Sequence, residues 1–310
     1  MADFIEAIAT IWEVIYVAVG VLLHVIVGAV KACIPCGIIP HKSVQGEIVL
    51  ITGSGSGLGR LLAVHFAKLG AKIILWDISA KGNEETAAMC SQTGAFVKAY
   101  ICDVSSFEAV KETAGKVAQE VGHVDILVNN AGVVSGKPIS ECTEQQIMRT
   151  MSVNCISHFW TLKSFLPSMM ERNHGHIVSI CSAAGLFGSA CLADYCASKF
   201  AAVGLMESFI FEMERANLTG VHGTYVCPGL MDTGLFAGIK MKLSAMLAPE
   251  YVADRTVEAV LTNQKLLILP RILYLPYFTK GFLPVEAGIF IARQLGALTA
   301  MDHFTGRAEA

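Results

Sequence analysis

Charge is what this chain has least of. Only 16% of its 310 residues are Asp, Glu, Lys or Arg, and the formal net charge is −3. No basic run or stripe is present to meet a phosphate backbone, so a nucleic-acid partner is not expected. No segment recurs at a solenoid period, and no linker or low-complexity tract divides the sequence. The ten cysteines include one Cys-x-x-Cys, Cys33 with Cys36, but no second pair and no histidines at zinc spacing. That excludes a disulfide scaffold in a chain this long and gives no metal site. His174 and His176 flank Gly175 in what the sequence suggests is a turn, a loop role rather than a ligand role. No basic residue precedes the first apolar stretch, which argues against a cleaved secretory leader.

Hydrophobicity is what the chain has in excess. The mean hydropathy is +0.55, and the apolar surplus gathers at both ends. Val14 to Val30 holds no Asp, Glu, Lys or Arg, with His24 as its one potential charge. Such a segment reaches about 25 Å as a helix, and extension back through Ile8 to Trp12, past Glu13, completes a bilayer span. Residues 1–43 are therefore expected to attach the chain to a membrane, as a span or as a hairpin. Asp3, Glu6 and Glu13 precede the segment and Lys31 and Lys42 follow it, so the positive-inside tendency puts the remainder in the cytosol. Thiols stay reduced there, and Cys33 and Cys36 suit juxtamembrane acylation better than metal binding. At the other end, Leu266 to Leu295 mixes aromatics with helix-interrupting prolines. Ordinary packing, a membrane-facing patch and a lid over an apolar pocket are three readings of that segment. Met241 to Leu247 is also largely apolar.

Between these ends, strand and helix patterns alternate from Glu47 to Cys227, predicting one doubly wound, parallel-sheet α/β domain of the Rossmann type over 44–262, with 263–310 as an apolar extension. Its first strand, within Gly46–Thr52, runs into Gly53-Ser-Gly-Ser-Gly-Leu-Gly59 and then a helical pattern from Arg60 to Leu69. Glycines there let the backbone turn tightly and approach a pyrophosphate, which a helix N-terminus favours. The next strand, Lys72 to Trp76, ends at Asp77. A carboxylate in that place accepts from ribose hydroxyls and repels a 2′-phosphate, so NAD is the expected cofactor. No cation stands immediately before Gly57 or after Asp77, although Lys81 is four residues on. Tyr195 and Lys199 form a Tyr-x-x-x-Lys pair, one helical turn apart on one face. A cation near a phenol favours the phenolate and makes a general base.

Taken together, Thr52-Gly-Ser-Gly-Ser-Gly-Leu-Gly59, Asp103, Asn129-Asn-Ala-Gly132, Asn154, Ser182, Tyr195 with Lys199, and Pro228-Gly229 followed by Thr233 resemble the short-chain dehydrogenase/reductases from about Val44 to at least Thr233. The resemblance implies a catalytic set of Asn154, Ser182, Tyr195 and Lys199. Ser182 stands thirteen residues before Tyr195, the family's common spacing, while Ser179 competes from the same strand. It also implies cofactor contacts from Gly53, Ser54, Ser56, Gly57, Leu58, Gly59, Asp77, Asp103, Val104, Asn130, Ala131, Gly132, Tyr195, Lys199, Pro228, Gly229 and Thr233. By that analogy Tyr195 is the base, Ser182 polarises the substrate oxygen, and Lys199 lowers the tyrosine pKa and contacts the nicotinamide ribose. Asn154 bends its helix and holds a relay water. Leu75-Trp-Asp-Ile78, His174-Gly-His-Ile177, Leu192 to Ala202 and Ala300-Met-Asp302 are similar to the membrane-bound retinol and 17β-hydroxysteroid dehydrogenase branch. This implies NAD-dependent oxidation of all-trans-retinol, or of a 17β-hydroxysteroid, at the endoplasmic reticulum or on lipid droplets, by an enzyme of a family in which homo-oligomers are usual. A basic cluster after the apolar segment, common in relatives, is reduced here to Lys31, His41 and Lys42. A non-catalytic membrane-interaction protein on the same fold is the alternative of another class.

Overall fold

The computed structural model describes residues 2–33, 39–242 and 246–306. They form two compact units, Met1–Lys42 and Ser43–Ala310. The first is a single helix, α1 (Ala2–Cys33). Within it, Glu6–Gly28 is long and apolar enough to cross a membrane, and none of it is buried inside the protein. Two of its polar side chains are satisfied locally, as suits a hydrocarbon environment: Thr10 Oγ1 donates to Glu6 O (3.0 Å) and His24 Nδ1 pairs with Gly20 O (2.8 Å). The helix supports membrane anchoring. Cys36 lies outside the described residues, so the Cys-x-x-Cys expectation falls there.

The second unit is built on β1 (Ile48–Thr52), β2 (Lys72–Asp77), β3 (Val97–Ile101), β4 (Ile126–Asn129), β5 (Gly175–Ile180), β6 (Val221–Pro228) and β7 (Leu266–Leu269). Runs such as Ile-Val-Leu-Ile offer no polar face to water, so they are stable only in a sheet covered on both sides. All pairings are parallel, in the order β3-β2-β1-β4-β5-β6-β7. Alternate strand residues supply opposite cores. Val49 and Ile51 join Leu62 and Phe66 of α2 (Gly57–Lys68), Cys90 of α3 (Ala80–Ser91) and Val257 of α8 (Pro249–Leu261). Leu50 and Ile74 join Val117 of α4 (Phe107–Glu120), Phe165 of α6 (Ser157–Arg172) and Met206 of α7 (Ala193–Arg215).

Two sequence expectations change. Gly175 and His176 open β5 instead of forming a turn; His176 is buried because a hydroxyl satisfies it, with Nε2 2.8 Å from Thr224 Oγ1 on the next strand. The parallel sheet also continues past residue 262, because β7 belongs to it. Beyond β7, no long helix spans the region and the prolines stand at helix starts: Pro276 lies in the first turn of α9 (Tyr274–Thr279), and Pro284 caps α10 (Val285–Gln294). Strand order reverses between β1 and β4, which opens a crevice at the carboxyl ends of the strands.

Candidate active site

At that crevice β1 ends in Thr52, whose hydroxyl accepts from the N–H groups of Asn130 (3.0 Å) and Ala131 (3.1 Å) and so ties the β1 exit to the β4 exit. Asn130 Nδ2 donates to the carbonyls of Thr52 (2.9 Å) and Gly53 (3.1 Å). Gly53 and Gly57 take positive φ (65° and 53°), the left-handed region that favours glycine. α2 starts at Gly57, ahead of the Arg60 where apolar periodicity becomes visible, so its unpaired N–H groups open directly into the glycine turn. A Cβ at Gly59 would collide with the Gly53 carbonyl oxygen and the Asn130 amide. Ser56 is the N-cap of α2. Ser54 and Leu58 are buried, and the Ser54 hydroxyl turns inward to Asn83 Oδ1 (2.7 Å), so both can serve a ligand only through backbone.

Asp77 ends β2 facing this turn. Its carboxylate accepts from Gly55 N (2.8 Å) and Ser79 N (2.8 Å). Arg60, which meets the same Gly55 at its carbonyl, is engaged with Gly55 O, Thr86 Oγ1 and Glu85, the last as an ion pair of 2.8 Å. Asp103 after β3 caps its own turn, accepting from Ser105 N and Oγ (2.9 and 2.7 Å), with Val104 buried beside it. A backbone cradle that no side chain can enter, a helix N-terminus and a strand-end carboxylate fit a nicotinamide dinucleotide.

The residues expected to handle the proton surround the exits of β4 and β5. Between α5 (Glu144–Met151) and α6 the chain widens into a π turn, Ser152–Ile156, a distortion frequent at functional sites. It carries Asn154, fully buried, whose amide clamps Val133: Val133 N donates to Oδ1 (2.8 Å) and Nδ2 donates to Val133 O (2.9 Å). Nδ2 also donates to Ser198 Oγ (3.0 Å), and that hydroxyl donates to the Tyr195 carbonyl (2.7 Å). Tyr195 and Lys199 share a face of α7, with the ammonium 5.8 Å from the phenol ring centroid. Lys199 Nζ donates to Ile180 O (2.8 Å), which aims it at the β5 exit. Gly132 lies alongside Asn154 Oδ1 and Lys199 Nζ, where even a Cβ would stand only in ordinary contact with them. Ser182 follows β5, with its Oγ accepting from Ala184 N (3.1 Å). Ser179 is instead buried in β5, 3.0 Å from His158 Nδ1.

Burial governs the electrostatics. It pushes the Tyr195 phenol up, against the opposing pull of a Ser182 hydrogen bond, and pushes Lys199 down. Pro228 ends β6, Gly229 N donates to Leu269 O (2.7 Å), and Thr233 N to Met231 O (3.0 Å). The phenol ring packs in an apolar cluster with Leu192, Phe236, Ile239 and Met301, flanked by Phe304. Phe236 meets Tyr195 edge-on at 5.5 Å and Phe304 at 6.5 Å. The tail is held there by Thr305 N donating to Ala237 O (2.9 Å), and a Cβ at Gly136 would strike Phe304. Tyr195 is only 4% exposed, so its phenol is shielded from water.

A family model described as short chain dehydrogenase matches residues 47–243. The chain belongs to the short-chain dehydrogenase/reductase family. Within that family it falls on the retinol dehydrogenase branch. Epidermal retinol dehydrogenase 2 of Homo sapiens is 49% identical over 269 residues, 86% of this chain and 87% of that protein. Retinol dehydrogenase 10 of Homo sapiens is 44% identical over 294 residues, 85% and 86% of the two chains. A short-chain dehydrogenase/reductase from Burkholderia phymatum, solved in complex with NAD, superimposes with a TM-score of 0.71 at 26% identity, covering 77% of this chain and 94% of that one. A metagenomic short-chain oxidoreductase in complex with NADP gives 0.63 at 27% identity, covering 74% and 97%. The protein is accordingly an oxidoreductase of the nicotinamide-dinucleotide-dependent type.

Several members of this dehydrogenase's site carry no local sequence signal. Ser198, the hydroxyl link between Asn154 and the catalytic helix, and Ser135, which donates to Asp194 Oδ2 (2.5 Å), are visible only in three dimensions. Among the described residues Glu47, Asp125 and His174 converge in a metal-like group, but at the opposite ends of the strands, where Arg172 already pairs with Asp125 (2.7 Å).

His158 lies buried beneath the site, with Nε2 unpartnered. Burial and, secondarily, Lys199 hold its imidazole down at about 3. The folded value is below the unfolded one of ~6.5, so its stabilising contribution is complete above that pH and drains as pH falls, by at most ~1.4 kcal/mol per unit. The melting temperature of the detergent-solubilised protein should fall below about pH 6.5, and His158→Gln should flatten that slope. An unchanged slope would assign the acid sensitivity to other groups.

Proposed function

We propose that this dehydrogenase oxidises a lipophilic alcohol, all-trans-retinol, to its aldehyde with NAD at the endoplasmic reticulum membrane, its catalytic unit facing the cytosol, with lipid-droplet surfaces as a second location. The observation that carries the reading is the wall of Leu192, Phe236, Ile239 and Met301 against Tyr195. An alcohol reaching the phenol must bring an apolar body to replace those contacts. The relatives named for retinol oxidation support the choice of substrate.

A nicotinamide dinucleotide, when bound, supplies the hydride acceptor. The protein's part is proton handling and placement. Ser182 Oγ, already accepting from Ala184 N, turns its O–H to the Tyr195 phenol, and an alcohol oxygen arriving between them takes that donor over. Tyr195 Oη receives the hydroxyl proton as general base. Lys199, desolvated and fixed by Ile180 O, offers its remaining N–H donors beside the phenol and favours the phenolate as the proton leaves. Asn154 holds the Val133 segment and, through Ser198, the first turn of α7 in register. Exclusion of water strengthens each of these interactions.

Asp77, with Arg60 engaged elsewhere, supports NAD over NADP. A carboxylate and a phosphate a few ångströms apart in a partly solvated site repel by a few kcal/mol. Asp77→Asn should therefore lower the NAD-to-NADP ratio of kcat/KM by about tenfold or more, which corresponds to ~1.4 kcal/mol. An unaltered ratio would show that selection lies elsewhere.

The deciding assay offers all-trans-retinol and estradiol separately to membranes bearing the full chain, with NAD and with Tyr195→Phe as the blank. Tyr195-dependent retinal formation supports the proposal. Estradiol oxidation without retinal would move the enzyme to steroids, and inactivity on both would overturn the substrate reading.

A further inference from the structure

The segment after β7 presents an unusual surface for a folded unit. Phe278, Phe282 and Val285 are 75%, 81% and 74% exposed, and Ile272, Leu275, Ile289, Phe290 and Ile291 are exposed as well. No residue of α9 or α10 is buried. Contiguous exposed apolar surface of this kind marks an interaction site. α10 is apolar around most of its circumference: Val285, Ile289 and Ala292 follow i, i+4, i+7, Phe290 stands one turn from Glu286 and from Arg293, and Ile291 lies on the remaining side. The segment is cationic in a chain whose formal charge is −3, with Arg271, Lys280 and Arg293 against Glu286 alone.

We infer that α9, the turn after it and α10 form a docking face for a phospholipid leaflet, lying in the interfacial layer with their apolar side chains inserted. This rests on the reading of α1 as a membrane anchor. Residues 34–43, ten in number, join α1 to Val44, so an inserted α1 confines the catalytic unit to the bilayer surface at high effective concentration. The aromatics Phe278, Phe282 and Phe290 suit the headgroup boundary. A fluid leaflet can cover apolar groups spread over two helices and a turn, which one flat protein face does less well. The face is braced to the active site: Lys280 Nζ donates to Leu186 O (2.7 Å), just beyond the turn that follows Ser182, and stands 4.8 Å over the Phe200 ring. Docking would therefore bring the Ser182 loop to the phase in which an apolar alcohol dissolves.

The test uses the full chain in phosphatidylcholine–phosphatidylserine vesicles whose acyl chains carry bromine. Phe282→Trp and Phe290→Trp are compared with Phe96→Trp, a control just before β3 at the opposite sheet edge, roughly 29 Å from β7. The parent signal from Trp12, Trp76 and Trp160 is subtracted, and quenching of Trp12 checks that α1 is inserted. The inference expects the tryptophans at 282 and 290 to emit to the blue and be quenched at a depth of about 5–10 Å, with the one at 96 unquenched. No quenching at 282 and 290, or equal quenching at all three positions, would overturn it. So would a blue shift without quenching that disappears as protein is diluted in lipid, which would give the face to a second copy of the chain. Retinol oxidation is measured in the same vesicles. Turnover without quenching sinks the docking face alone, and quenching without turnover sinks the substrate alone.

Discussion

Replacing Tyr195 by phenylalanine is expected to cut turnover by ~10²–10⁴-fold while leaving dinucleotide affinity within about twofold, because general-base catalysis is worth that much and the hydroxyl is the group removed. The ring keeps its place in the variant. Its edge contact with Phe236, at 5.5 Å, does not involve the oxygen, and Ser198 donates to the Tyr195 main chain. Lys199 stays anchored to Ile180 O. Turnover and dinucleotide titration by fluorescence, measured together, check the prediction. Turnover within tenfold of the parent would remove Tyr195 from the chemistry. The parent enzyme has a second signature. Burial holds the phenol above its ordinary range, so oxidation, which needs the phenolate, should climb as the solution turns alkaline, while aldehyde reduction, which needs the neutral phenol as acid, should stay level until the pH approaches that raised value.

Gly59→Ala is the second large effect. The added methyl would meet the Gly53 carbonyl and the Asn130 amide, and Asn130 is the group that closes the β1 exit onto the β4 exit. Neither neighbour is the free end of a flexible side chain, so the glycine turn itself must open. Forcing a methyl into packed space costs ~1–3 kcal/mol or more, and the loss falls on the conformation that receives pyrophosphate. Dinucleotide affinity should fall by about a hundredfold, two steps of ~1.4 kcal/mol each. Gly115→Ala in α4 meets open space and should instead stabilise by ~0.4–1 kcal/mol. If both variants bind alike, the cradle is not where the cofactor sits.

How much of this was legible beforehand follows from the range of the interactions. The glycine turn, Asp77 and the Tyr195–Lys199 pair are local: each depends on one strand end or one helical turn, and the motif spells it out. The start of α2 at Gly57 was hidden because apolar periodicity begins only after the glycines. β7 was hidden because four apolar residues read alike as a buried strand or as part of a greasy tail. His176 looked like a turn residue until Thr224, on another strand, supplied its partner. The Phe236–Met301–Phe304 wall brings together residues some sixty positions apart in the chain, and no spacing announces that.

That wall separates two kinds of inheritance. The groups proposed to move protons lie between Asn154 and Lys199, placed by strand ends and a π turn. Met301, in the apolar cluster that holds the phenol, and Phe304, packed against that cluster, follow α10 and are held to residues 237–240 by a few main-chain hydrogen bonds. A lineage could exchange one alcohol for another by drift in its last dozen residues while its chemistry stayed untouched, so duplicated copies of such a gene would diverge first in appetite and last in mechanism.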